Sequence, residues 1–141
     1  MAAQSVQEIM AHDPVTAETS TTLVEVAKAM RDSDTGAVIV TDSGKVRGIA
    51  TDRDIVVRAI ADGRDAADVR VGDICSGPPV TLNPQDRIQT AAETMRRHDV
   101  RRLPVVGDDG RPMGIVSLGD LAIERDENSA LADISAAAPN N

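Results

Sequence analysis

Gly48–Ile49–Ala50–Thr51–Asp52–Arg53–Asp54 returns later in the chain as Gly114–Ile115–Val116–Ser117–Leu118–Gly119–Asp120. Each stretch reads as the end of a strand, a hydroxyl residue, and an acid one helical turn further on. The echo extends upstream from here. Val6, Glu8, Ile9, Pro14, Val15 and Thr16 return as Val71, Asp73, Ile74, Pro79, Val80 and Thr81. Ala27, Met30, Arg31, Asp34 and Val40 return as Ala92, Met95, Arg96, Asp99 and Val105. One inserted residue in the second copy separates Asp42 and Gly44 from the register of Asp108 and Gly110. Two copies of one unit predict two equivalent halves about a pseudo-twofold axis, since a solenoid needs three or more repeats.

Within a copy, an apolar turn (Val6–Met10, Val71–Cys75) leads into a Pro–Val–Thr stretch long enough only for a brief strand. Leu23, Val26, Ala27 and Met30 then fall at i, i+3, i+4 and i+7, and Ile88, Ala91, Ala92 and Met95 repeat the step. Each set is the apolar stripe of a helix. Thr22–x–x–Glu25 and Asp86–x–x–Gln89 occupy the place of a capping box. Ala37–Thr41 with Val46–Ala50, and Leu103–Val106 with Met113–Val116, flank Asp- and Gly-containing turns and read as hairpins. Pro104 suits an edge strand or an interrupted ladder. Thr51 and Ser117 open closing helices in which Ile55, Ala59 and Ile60, or Leu121 and Ala122, face inward, and Gly63 is a stop. These elements place the first motif at residues 1–63, a polar linker at 64–70 and the second motif at 71–125. Residues 126–141 are too poor in apolar side chains to pack and form a loose tail.

The 141 residues contain no Phe, Tyr or Trp, so the core is aliphatic and no aromatic platform exists for stacking bases. The formal net charge of −8 is wrong for a nucleic-acid binder. Arg96, Arg97, Arg101 and Arg102 form a local basic cluster that is either a solvated helix end or a hold on one small anion. Cys75 is the single cysteine and has no metal-ligand spacing around it. His12 and His98 stand near no nucleophile. No secretory signal or membrane-length apolar run is present, which points to the cytoplasm and away from the membrane.

The chemistry concentrates in Gly–h–h–Thr/Ser–x–x–Asp, where h is apolar. Glycine permits close approach to the backbone. The helix start offers unpaired N–H groups and a positive dipole end to phosphate. The acid one turn in can accept from paired sugar hydroxyls. The same residues also make an ordinary helix start, the hydroxyl capping and the acid favouring the dipole. Both readings stand at this level.

The doubled Pro–Val–Thr, helix, hairpin and Gly–h–h–Thr/Ser–x–x–Asp order resembles a tandem pair of cystathionine β-synthase (CBS) motifs, a Bateman module, from about Val6 to Arg125. It is most similar to stand-alone CBS pairs, since nothing else is attached. The resemblance implies an α+β fold of two βαββα motifs packed sheet to sheet with pseudo-twofold symmetry, leaving two clefts. It implies an adenosine ligand such as AMP, ADP, ATP or S-adenosylmethionine, with no obligatory cofactor, no metal and no catalysis. Asp54 and Asp120 would take ribose hydroxyls, and Thr51 and Ser117 would meet phosphate. Thr16 and Thr81, with Val15 and Val80, would line the base pocket. Arg101 and Arg102 match phosphate-touching positions, whereas Gly36 and Ala37 stand there in the first copy, with Arg53 a partial substitute. Gly119 replaces a polar residue, which removes one possible hydrogen bond. With its arginines the second site is expected to hold a phosphorylated ligand better, and the first to be empty or to bind a nucleoside.

Two functions follow. One is a non-catalytic, homodimeric nucleotide sensor acting on a protein partner. The other is a ligand-free oligomeric or adaptor protein, stress related, whose Asp and Thr residues only cap helices.

Overall fold

Val6 and Val71 open the two copies, and each is fully buried in the core built by the other copy's helix and hairpin. The computed structural model describes residues 4–75 and 79–125; the tail expected at 126–141 lies outside them. In chain order the elements are β1 (Ala11–His12), β2 (Thr16–Glu18), α1 (Leu23–Ser33), β3 (Ala37–Asp42), β4 (Lys45–Thr51), α2 (Asp52–Ile55), α3 (Ile88–His98), β5 (Arg102–Val106), β6 (Pro112–Ser117) and α4 (Leu118–Arg125). Short 3-10 turns cover Val6–Glu8 and Val71–Asp73, and α2 continues as a π-helix over Val56–Ile60.

The chain forms two compact units. One runs from Pro14 to Pro79; the other takes the chain up to Asp13 and resumes at Val80. In the first, a sheet of order β2-β3-β4 packs Val38, Val40 and Ala50 with Leu23, Val26 and Met30 of α1, Ile55, Ala59, Val69, Val71 and Ile74. In the other, a sheet of order β1-β6-β5 packs Leu103, Val105 and Val116 with Ala91, Met95, Leu121, Val6 and Met10. The mixed α/β character with two sheets follows the expected class.

The opening turns are held by matching backbone bonds. Val71 and Gly72 N–H donate to Thr21 and Thr19 O, while Val6 and Gln7 N–H donate to Asp86 and Pro84 O. Residues Arg64–Arg70 lie in the contiguous unit, where the Val69 and Ala66 carbonyls accept from Leu23 and Val24 N–H at the start of α1. Those amides have no partner inside their own helix.

Three local expectations are corrected. Ala27 is exposed, so the α1 stripe narrows to Leu23, Val26 and Met30. Ile60 is 57% exposed because the wider π winding turns it off the inward row that Ile55 and Ala59 keep. Asp86 does not cap α3: its carboxylate turns back to Asn83 N–H, and Arg87 takes the N-cap place without a side-chain bond. Gly114 permits a close backbone approach as expected, and the group that approaches is β1, since a Cβ there would lie 2.7 Å from Ala11 O and 2.5 Å from Met10 Sδ. Pro104 sits as expected on β5, the last strand of its sheet. Ser43 and Gly44 both have positive φ, the two-residue turn that suits a twisted hairpin. The Glu18 carboxylate accepts from the Ser43 N–H and from the Thr41 hydroxyl and fastens that turn.

Candidate functional site

Both repeated motifs fold into reciprocal caps. Asp54 N–H donates to Thr51 Oγ1 at 3.2 Å and Thr51 N–H returns to Asp54 Oδ2 at 2.8 Å. Asp120 N–H donates to Ser117 Oγ at 3.1 Å and Ser117 N–H returns to Asp120 Oδ2 at 2.8 Å. Each box satisfies two backbone donors with one residue pair. It also consumes only one carboxylate oxygen, so Oδ1 of each acid stays outside the cap.

β3 and β4 pair Ala37 with Thr51, and β5 and β6 pair Arg102 with Ser117. Directly paired residues share a face, so Arg102 stands beside Ser117 where Ala37 stands beside Thr51. The preceding residues match too. The Gly36 carbonyl accepts from Asp52 N–H, and the Arg101 carbonyl accepts from Leu118 N–H. The arginines therefore flank the start of α4, while Arg96 and Arg97 occupy the last turn of α3, where cations complement carbonyl ends. The cluster divides into a solvated helix end and a pair at the motif.

Thr16 pairs with Ile39, which pairs with Ile49, two residues before Thr51. By strand alternation Thr16, Ile49 and Thr51 share one face, with Thr16 two strands away, about 10 Å. Val15 enters the same row through its carbonyl, which accepts from Ile39 N–H. Thr81 precedes the bridge between Leu82 and Val105, next to half-buried Val80, so the second copy keeps only a bridge where the first has β2. Arg53 is exposed on α2, and its N–H is taken by Asp52 Oδ1 at 2.9 Å.

That last bond is a difference between the units that the sequence reading missed. Asp52 places a second carboxylate at the first helical position and occupies the Arg53 amide. In the other unit Leu118 stands there, and Gly119 N–H has no acceptor among the described residues. The signal lay in the dipeptides after the hydroxyl, Asp52–Arg53 against Leu118–Gly119.

Cys75 is half-buried, and burial pushes its thiol up more than the nearby Arg47 guanidinium lowers it. It donates weakly to Gly72 O at 3.8 Å. Among the described residues no three His, Cys, Asp or Glu side chains come together as metal ligands, and no helix is long and apolar enough to cross a membrane.

The CBS domain family profile matches residues 6–60 and 71–126. The CBS domain-containing protein YhcV of Bacillus subtilis is 38% identical over 135 residues, covering 93% of this chain and 95% of that protein. Hypoxic response protein 1 of Mycobacterium tuberculosis is 33% identical over 116 residues, 82% of this chain and 80% of its own length. The crystal structure of Hypoxic Response Protein I, which carries two coordinated zinc ions, superposes with a TM-score of 0.76 at 30% identity, covering 85% of this chain and 98% of that one. A CBS domain protein of Pyrobaculum aerophilum complexed with AMP superposes with a TM-score of 0.77 at 30% identity, over 95% and 99% of the two chains. With both profile matches falling on the repeated copies and relatives matching nearly end to end, this chain belongs to the CBS domain family and carries a pair of CBS domains.

Proposed function

We propose that the chain is a non-catalytic, cytoplasmic sensor of an adenosine-containing nucleotide, with the phosphorylated ligand held by the unit that carries Arg102, Ser117 and Asp120. The carrying observation is the pairing of Arg102 with Ser117 beside an open Gly119 N–H and the uncommitted Oδ1 of Asp120. Cations, a helix-start amide and a hydroxyl suit phosphate. A carboxylate oxygen one turn in suits ribose hydroxyls. The relative solved with AMP supports the ligand class. The Pro14–Pro79 unit, with Asp52 at its helix start, suits an adenosine compound without phosphate, such as S-adenosylmethionine. Thr16 and Thr81 would line the base side of each site, and Arg53 would reach a ligand of the first. Binding would bias a protein partner only as far as the affinities of its two states differ.

The second reading, a ligand-free adaptor, draws on the completeness of both capping boxes, which explains the repeated residues without a ligand. Two measurements divide the readings. Lacking aromatic side chains, the purified protein should show a 260 nm band only if nucleotide travels with it, and AMP, ADP or ATP should raise its melting temperature. No band and no shift with these or with S-adenosylmethionine overturns the sensor. In Asp120→Ala the shift induced by AMP, ADP or ATP should vanish, with the apo protein losing about 1 kcal/mol for the cap.

The homodimer belongs to the same proposal. Val56, Val57 and Ile60 are 53%, 46% and 57% exposed on one short helical segment, an apolar surface suited to a second copy. Light scattering should give twice the chain mass, and Val57→Glu should halve it.

A further inference from the structure

Arg58 stands one turn beyond Asp54 in the Pro14–Pro79 unit and bridges two groups. Its Nε lies 3.7 Å from Asp54 Oδ1, and its Nη1 donates to the Ile74 carbonyl at 3.1 Å. Oδ2 of Asp54 is committed to the cap, so Oδ1 is the oxygen left for incoming hydroxyls, and Arg58 faces it. Ile74 closes the turn Val71–Asp73, after which the chain leaves this unit at Pro79. At the matching place in the other unit stands Glu124, a carboxylate that can neither donate to a carbonyl nor attract Asp120.

We infer that Arg58 is a latch, competing with ligand hydroxyls for Asp54 and, once displaced, loosening the Val71–Cys75 turn. This rests on the reading of Asp54 as the ribose acceptor. The guanidinium is a rigid planar fork, so one group fixes the carboxylate and the carbonyl relative to each other. A ligand that draws Oδ1 toward its own hydroxyls pulls one tine of that fork away and weakens the other. By linkage the coupling is reciprocal: whatever orders the turn lowers affinity at Asp54, and ligand at Asp54 disorders the turn. The Arg58 end of the ion pair is half in water, so the effect on affinity is modest and the effect on the turn is the larger signature. Only one of the two sites carries this device, which makes the first site the one whose occupancy is reported along the chain.

The test uses the full chain carrying Asp120→Ala, so that one site is read, with 5′-methylthioadenosine as the probe. Calorimetry should show Arg58→Gln binding about two- to fivefold more tightly, the range of an ion pair whose cation is half exposed. Amide exchange should be followed at Ile74 and Cys75, whose N–H groups donate to Val71 O at 3.1 and 3.0 Å. Saturating probe should speed both amides in the parent, and Arg58→Gln should speed them without probe, with the α1 amides unchanged as the control for folding. Affinity that stays level or falls, or turn amides that ignore Arg58→Gln, overturns the latch while leaving the nucleotide reading intact. Absence of binding to any adenosine compound in the chain with both acids present overturns the nucleotide reading and the latch with it.

Discussion

The two helix starts share their cap to within a few tenths of an ångström and differ in the charges and amides placed around it. After Thr51 come Asp52 and Arg53, the first filling the amide of the second. After Ser117 come Leu118 and Gly119, and no described residue fills the Gly119 amide. Across the sheet, Ala37 faces Thr51 and Arg102 faces Ser117. Duplication preserved the residues that make the helix begin and released the residues around them. A repeated motif is therefore good evidence for a shared scaffold and poor evidence for a shared ligand.

The comparison is broken most severely by removing the cations of one side. Arg101→Ala combined with Arg102→Ala should weaken AMP about tenfold or more, the scale of a lost charge-assisted hydrogen bond, and move 5′-methylthioadenosine far less. Titration calorimetry with both ligands reads this, and equal losses would dissolve the distinction between the sites. Next, Gly114→Ala should destabilise the protein by about 1–3 kcal/mol, because the new Cβ meets Ala11 O at 2.7 Å, a backbone atom that cannot swing aside. Urea melting gives the figure. A neutral outcome would mean that β1 yields freely.

Thr51→Ala and Ser117→Ala should each cost about 1 kcal/mol without ligand. Equal costs sharpen the claim that the scaffold is shared, and only Ser117→Ala should also cut the AMP-induced melting shift. The smallest effect concerns Cys75. Its raised thiol stays protonated in the folded chain while an unfolded thiol ionises, so folding loses stability as pH rises through the thiol range. The melting temperature of the parent should fall slightly relative to Cys75→Ser between pH 8 and pH 10. Parallel curves would show that burial does not hold the proton.

Much of the fold was legible because it is written in periods and turns. The hairpins, the Pro104 edge, the opening turns and the hydroxyl caps all follow from local chemistry, and the doubled order of motifs carried the family. Three things were not legible. Asp34 and Asp99 repeat because both end their helices in the left-handed conformation, with φ of 52° and 53°, which no periodicity shows. Ile60 counts as inward on an ideal helix and is outward on a π turn. The membership of Val6 and Val71 is a tertiary fact, since a short apolar turn carries no label saying which core it fills. At the site, the acid–hydroxyl pairs were found by their spacing. Asp52 and Arg58 were passed over because their importance lies in which atoms they reach.

The exchange of opening turns also gives the two units different histories during synthesis. Residues 14–79 are continuous, and every side chain of their core has been made once Cys75 leaves the ribosome. The other unit begins with Val6 and Met10, which must wait, unpaired, until Leu82 through Leu121 have followed. One unit can fold as it emerges; the other is closed by the two ends of the described chain and folds last. A break between residues 63 and 71, where the sequence repeat suggests a seam, would strip the first unit of Val69, Val71 and Ile74. The cuts that spare its core fall at Asp13–Pro14 and Pro79–Val80, the places where the chain crosses over.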